Sequence, residues 1–182
     1  MVSMPEYDPA GLGTSVADTA YLNRCLQGLY TPGSVFKIVT LTAALDNLPG
    51  LLNRTFVCTG SQDFGGGAVT CLSGRKAHGE IDLKSAFAQS CNVTFAELSY
   101  ELGKSNMQSV AENFGFNDNF SFSDLVLYNS SYPGDISSVN ELAWSGVGQG
   151  RVLVTPLHMA MIASGVANGG VMMEPKLVRQ IT

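Results

Sequence analysis

"YTPGSVFKIVTLTAAL", Tyr30–Leu45, decides how the chain is read. A Thr-Pro-Gly turn signal at 31–33 leads into an apolar run, and Pro49-Gly50 closes it, so a helix is expected from Ser34 to about Asn47. One charged residue, Lys37, stands in this apolar stretch, three positions after Ser34. Residues three apart share a helix face. Ser34 directly follows Pro-Gly and falls in the first turn, where unpaired backbone N–H groups and the helix dipole favour developing negative charge. A serine hydroxyl is a weak nucleophile that needs a neighbouring base. A lysine in apolar surroundings loses the solvation of its ammonium form, which lowers its pKa and frees the amine to be that base. The pair therefore fits serine acyl transfer. The competing reading is a capping serine and a lysine snorkelling to the surface.

Ser-x-x-Lys is a weak pattern alone. With 18 serines and five lysines in 182 residues, about half an occurrence is expected by chance. A second copy, Ser73 to Lys76, sits in a polar turn beside Arg75, where nothing would desolvate the amine. The stretch "AQSCNVTFAEL" adds weight to the first copy. Ser90 and Asn92 lie on a short break between two helical segments, which can present a hydroxyl and a carboxamide into a cleft. Asn92 acting only as a helix cap is the plainer alternative. Ser138-Val-Asn140 repeats the spacing at the start of a short helix.

The bulk numbers narrow the class. The 182 residues are enough for a domain with a real core, and 45% are hydrophobic while only 14% are charged, which argues against disorder. Net charge is −5 and no basic run or stripe occurs, so nucleic acid is not an expected partner. No apolar run reaches the length of a membrane span, and the N-terminus lacks the pattern of a signal peptide. Any membrane attachment is expected to lie in a segment absent from this chain. Cys25, Cys58, Cys71 and Cys91 form no CxxC pair, and neither histidine has metal-ligand spacing to them, which argues against zinc. Cys58 and Cys71 flank a glycine-rich stretch. A hairpin disulfide and two half-buried thiols on neighbouring strands both fit.

Along the chain, "MVSMP" reads as a strand end and "RTFVC" and "AVTC" as short strands. Asp82 is the expected cap of a helix "LKSAFAQS"; another helix follows Asn92 and ends at Gly103, and Ser105 with Gln108 opens a third to about Gly115. Residues 117–137 read as a long surface excursion. Thr155 and Pro156 open a helix through "LHMAMIASGVANGG", and "VMMEPKLVRQIT" reads as a strand start. His78 is expected to be a packed loop residue and His158 a partnered or half-exposed one. Trp144 and the phenylalanines at 114, 116, 120 and 122 are expected in core and loop-anchoring roles. The pattern predicts an α+β domain with a helical cluster and an incomplete antiparallel sheet.

Taken together, "YTPGSVFKIVTLTAAL", "SCN" and "GQGRVLVTPLHMA" resemble the transpeptidase domain of class B penicillin-binding proteins, over most of the chain and in the family's order. The resemblance implies the β-lactamase/transpeptidase-like, penicillin-recognising fold. It implies a peptidoglycan D,D-transpeptidase that cross-links stem peptides and is acylated by β-lactams, with Ser34 as nucleophile and Lys37 as its base. Ser90 would relay protons, Asn92 would hold the substrate amide, and Gln149 resembles a family turn beside the cleft. The implied setting is extracytoplasmic, in a membrane-anchored protein working with division or elongation proteins, and no cofactor or metal is needed. None of the five lysines is followed by Thr-Gly or Ser-Gly, so the family's Lys-Thr-Gly motif is not in this chain. Residues 1–182 are accordingly expected to be a partial transpeptidase domain, lacking later strands and the C-terminal helix, inactive and poorly stable or self-associating in isolation. Two other readings stay open: a class D-like β-lactamase or β-lactam sensor, and a non-catalytic interaction module.

Overall fold

A computed structural model describes residues 1–8, 10, 18–71, 76–120, 122 and 125–178. The chain forms two compact units, each assembled from separated segments. The larger comprises 31–114 and 132–152, and the smaller comprises 1–30, 115–131 and 153–182.

The larger unit opens with a 3₁₀ turn, Gly33–Phe36, which runs straight into helix α2, Lys37–Asn47. The helix ends where the sequence predicts, ahead of the left-handed Gly50. Four short strands follow: β1 (Thr55–Cys58), β2 (Ser61–Asp63), β3 (Ala68–Thr70) and β4 (Gly79–Asp82). They pair as two antiparallel two-stranded sheets, β1 with β4 and β2 with β3. Asp82 accepts a 2.7 Å hydrogen bond from the Ser85 N–H and caps α3, Leu83–Ala88. Helix α4, Asn92–Asn113, contains Gly103 at φ 73°, ψ 170°, so two helical stretches meet at the glycine read as a stop. Ser138 caps α5, Val139–Gly146, by accepting from Glu141 N–H.

Helices α2, α4 and α5 enclose the core of this unit. Val39, Ala43 and Ala44 bury one face of α2, with Phe36 buried at its entry, and Phe95, Ala96 and Leu98 bury one face of α4. Val69, Ala96 and Ala143 form a buried cluster with Phe64 and Trp144 packed on it. Two polar bonds fix α5: Thr40 Oγ1 donates to the Gly146 carbonyl at 2.7 Å, and Ser99 Oγ to the Leu142 carbonyl at 2.8 Å. Gly146 is required by this approach, because a Cβ there would lie 2.3 Å from the Ser99 Cβ.

In the smaller unit, Asn23 caps α1, Arg24–Gln27, and Thr155 caps α6, Pro156–Ala167, with proline at the first helical position as expected. Short antiparallel bridges join Tyr30 to Val154 and Ser131 to Leu153. Leu26, Leu125 and Leu127 form its apolar cluster with Phe120, Phe122 and Leu157. Buried His158 meets Ser130 Oγ at 2.7 Å through Nδ1 and packs against Phe116 and Phe120, so it is a partnered core residue.

Three expectations need correction. Residues 1–8 and 171–178 contain no strand, because a strand requires a pairing edge and none reaches them among the described residues. The stretch 117–137 is not simply a surface excursion: Leu125 and Leu127 enter the core of the smaller unit, and Tyr132 and Ile136 that of the larger. The Cys58 and Cys71 side chains are buried rather than half-buried, with their sulfurs 3.6 Å apart and unbonded. No helix among the described residues is long and apolar enough to cross a membrane.

Candidate active site

The entry to α2 positions Ser34. Gly33 adopts φ 61° and donates its N–H to the Gly148 carbonyl at 2.8 Å, pinning the 3₁₀ turn to the loop after α5. Gly148 has to be glycine, since a Cβ there would stand 2.2 Å from the Gly33 carbonyl oxygen. Ser34 is exposed on that turn, while Lys37, one turn on, is only 1% exposed. A charge this enclosed has to be met by polar atoms, and it is.

The Lys37 ammonium donates to Asn92 Oδ1 at 2.6 Å, to the Ser90 carbonyl at 2.7 Å and to Ser90 Oγ at 2.9 Å. Its contact with Ser34 Oγ is the longest, at 3.4 Å. The Phe95 ring lies beneath it, with the nitrogen 5.5 Å from the ring centre. Burial pulls the Lys37 pKa down to about 8, with the negative charge potential of Cys91 and Cys71 acting in the opposite direction. A minor fraction of the amine is therefore neutral at physiological pH, the form that a base for serine needs.

Ser90 stands at the break between α3 and α4 in a left-handed conformation, φ 53°. A non-glycine residue held there stores strain of about 1–3 kcal/mol, and such residues cluster at functional sites. The plain capping role for Asn92 does not hold. Cys91 is the N-cap of α4, its sulfur accepting from Thr94 N–H, and Asn92 is the first helical residue. Its carboxamide spans the site, with Oδ1 on Lys37 and Nδ2 donating to the Thr70 carbonyl at 2.8 Å.

Ser34, Lys37, Ser90 and Asn92 thus converge on one amine. Gln149 is exposed in the turn between left-handed Gly148 and Gly150, and its Nε2 would lie 3.5 Å from a Cβ at Gly33. It stands beside the Ser34 turn without a hydrogen bond to the lysine cluster. The other lysine candidate, Lys76, is exposed, and Ser73 lies outside the described residues. Ser138-Val-Asn140 serves structure: Ser138 caps α5 and Asn140 Nδ2 donates to the Gly67 carbonyl.

Along its entire length, residues 1–182, the chain matches the model of the penicillin binding protein transpeptidase domain. The chain belongs to this family. Among curated transpeptidase relatives, it is 32% identical to peptidoglycan D,D-transpeptidase PbpA of Mycolicibacterium smegmatis, covering 100% of this chain and 40% of that protein. It is also 32% identical to stage V sporulation protein D of Bacillus subtilis, over 99% of this chain and 28% of that protein. The chain therefore spans well under half the length of these relatives. Among solved structures, penicillin-binding protein A from M. tuberculosis as a penicillin G acyl-enzyme complex superposes with a TM-score of 0.84 at 28% identity, over 96% of this chain and 44% of that one. The imipenem acyl-enzyme of the same protein gives 0.84 at 27% identity, over 96% and 44%. The transpeptidase fold expected from the sequence is therefore the fold of this chain.

Two parts of the site escaped sequence reading. The Thr70 carbonyl and the Phe95 ring both support the lysine cluster; Phe95, one helical turn beyond Asn92, was the only one with a sequence signal. Sequence spacing, which argued against a zinc site, gave no sign that a histidine lies beside the cysteines. His78, a packed loop residue as expected, brings Nδ1 to 3.3 Å from Cys58 Sγ and 3.7 Å from Cys71 Sγ. Spacing hid this because the groups come from four separate segments.

Proposed function

We propose that the protein containing this chain is a peptidoglycan D,D-transpeptidase that works through an acyl-enzyme on Ser34. The observation that carries the reading is the buried Lys37 amine, held between Ser34 Oγ, Ser90 Oγ and Asn92 Oδ1. Relatives named as peptidoglycan D,D-transpeptidases, and penicillin-binding protein A captured as β-lactam acyl-enzymes, support the same chemistry here.

In the forward half-reaction, Ser34 Oγ attacks the carbonyl between two D-alanines and its proton passes to the neutral Lys37 amine. The backbone N–H of Ser34, in the first helical turn, helps to stabilise the oxyanion. Lys37 then gives the proton through Ser90 to the departing amine as the C–N bond breaks and D-alanine leaves. An acceptor amine on a neighbouring stem peptide attacks the ester, and its proton returns through the same relay to Ser34. Asn92 keeps an amide hydrogen and a carbonyl lone pair beyond its bonds to Thr70 and Lys37, and these hold the substrate amide. Gln149 lines the approach beside Gly33. β-Lactams acylate Ser34 in place of the peptide. The working site is extracytoplasmic, in a membrane-anchored protein that serves division or elongation with other cell-wall synthesis proteins.

The decisive test is the intact mass of the full-length protein after incubation with benzylpenicillin, alongside Ser34→Ala. A stable adduct on the parent and none on the variant is expected. An adduct that survives the change overturns the assignment of Ser34, whereas rapid nitrocefin turnover points to a β-lactamase. Complete absence of an adduct favours the non-catalytic reading.

A further inference from the structure

Behind the lysine cluster, three cysteines and a histidine meet. Cys58 ends β1, Cys71 directly follows β3, His78 directly precedes β4, and Cys91 caps α4. Their ligand atoms all lie within 4.8 Å of one another. The sulfurs of Cys58 and Cys71 are 3.6 Å apart and those of Cys71 and Cys91 3.8 Å. His78 Nδ1 stands 3.3 Å from Cys58 Sγ and 3.7 Å from Cys71 Sγ.

These separations have a chemical meaning. Zinc bonds of about 2.3 Å to sulfur and about 2.0 Å to nitrogen place the corners of a tetrahedron roughly 3.5–3.8 Å apart. Sulfur packing alone would explain pairwise contacts between thiols, but not an imidazole that turns the same nitrogen toward two of them. Cys58, Cys71 and Cys91 are each at most 4% exposed, as suits a closed structural site rather than one with an open coordination position.

We propose that Cys58, Cys71, His78 and Cys91 bind one Zn²⁺ ion tetrahedrally through three thiolates and Nδ1 of a neutral imidazole. Binding releases the three thiol protons to solvent and leaves the site with one net negative charge. Cys91 lies between Ser90 and Asn92, so the metal ties the turn that holds Lys37 to the ends of β1, β3 and β4. On the active-site reading above, the ion is thus a positioning device for the catalytic turn. It takes no part in bond making.

The test is metal content by mass spectrometry on the full-length protein, purified without chelator and without added reductant. Roughly one zinc per chain is expected, unchanged in Cys25→Ser and Ser34→Ala and lost in Cys58→Ser/Cys71→Ser. Replacement with Co²⁺ should give the intense visible bands of a tetrahedral cobalt–thiolate centre, and His78→Asn should weaken Zn²⁺ affinity at least tenfold in competition with a chromophoric chelator. Zinc at background level in the freshly purified parent, or a Cys58–Cys71 disulfide in it by peptide mapping, would overturn the site. Zinc retained with no penicillin adduct removes the transpeptidase reading alone, and an adduct without zinc removes the metal site alone.

Discussion

An amine whose ammonium form has been pulled down to about 8 is about one-tenth neutral at pH 7. If Lys37 is the base for Ser34, benzylpenicillin acylation should rise close to tenfold per pH unit below 8 and level off above it, as followed by stopped-flow or quenched mass measurements. Lys37→Met should remove that rise and slow acylation by about 10²–10⁴-fold. The same group leaves a mark on stability. Unfolded, Lys37 holds its proton up to about 10.5, but folded it releases it near 8. Between these values the unfolded chain binds the extra Lys37 proton, so the Lys37 contribution to stability should increase with pH across that window and be lowest below it. Chemical denaturation at pH 7.5 and 10 should show this increment in the parent and not in Lys37→Met. Ser34, Lys37, Ser90 and Asn92 were readable in the sequence because Ser-x-x-Lys and Ser-x-Asn are local patterns with chemical meaning. The Thr70 carbonyl and the Cys58–Cys71–His78–Cys91 group were not, because they exist only after distant segments meet.

Helical elements followed their local signals closely, since Asp82, Ser138 and Thr155 each cap the helix they were expected to open. Caps act over three residues, so sequence suffices to place them. Strands depended on partners far along the chain. The registers Phe56 with Ile81 and Gln62 with Val69 could not be read from stretches of three or four residues, and β2 and β4 were missed. Contact between helices was equally hidden. Gly146 resembles an ordinary helix-ending glycine, yet it lets α5 approach α4 at Ser99. Gly146→Ala gains about 1 kcal/mol of helix propensity, but its Cβ would sit 2.3 Å from the Ser99 Cβ and 2.9 Å from the Phe95 carbonyl oxygen. Backbone cannot yield as a flexible side chain does, so overpacking should win and cost about 1–3 kcal/mol. Thermal unfolding should show the midpoint falling by about 2–4 °C per kcal/mol. An unchanged midpoint would mean that α5 can slide on α4.

The order of segments in the whole chain makes the site depend on residues far beyond its last proposed catalytic member. Ser34, Lys37, Ser90 and Asn92 all precede Phe114, yet the unit that holds them is completed by 132–152. That later segment supplies the Gly148 carbonyl that anchors the Ser34 turn and the Gly146 carbonyl that accepts from Thr40. It also brings Ala143 to the cluster with Val69 and Ala96, and stacks Tyr132 on Phe36 with ring centres 5.9 Å apart. Without it, buried Thr40 and Ser99 would each lose their acceptor, at about 1–3 kcal/mol apiece. The apolar faces of α2 and α4 would meet water as well. Losses of this size rival the total stability of a domain. A polypeptide ending at Phe114 should therefore unfold without a cooperative transition in circular dichroism and form no benzylpenicillin adduct, although every proposed catalytic side chain is present. Supplying residues 132–152 as a separate peptide should restore part of the helical signal if the missing contacts are the cause. A cooperative melt of the shortened chain by itself would show that the segment before Phe114 carries its own core.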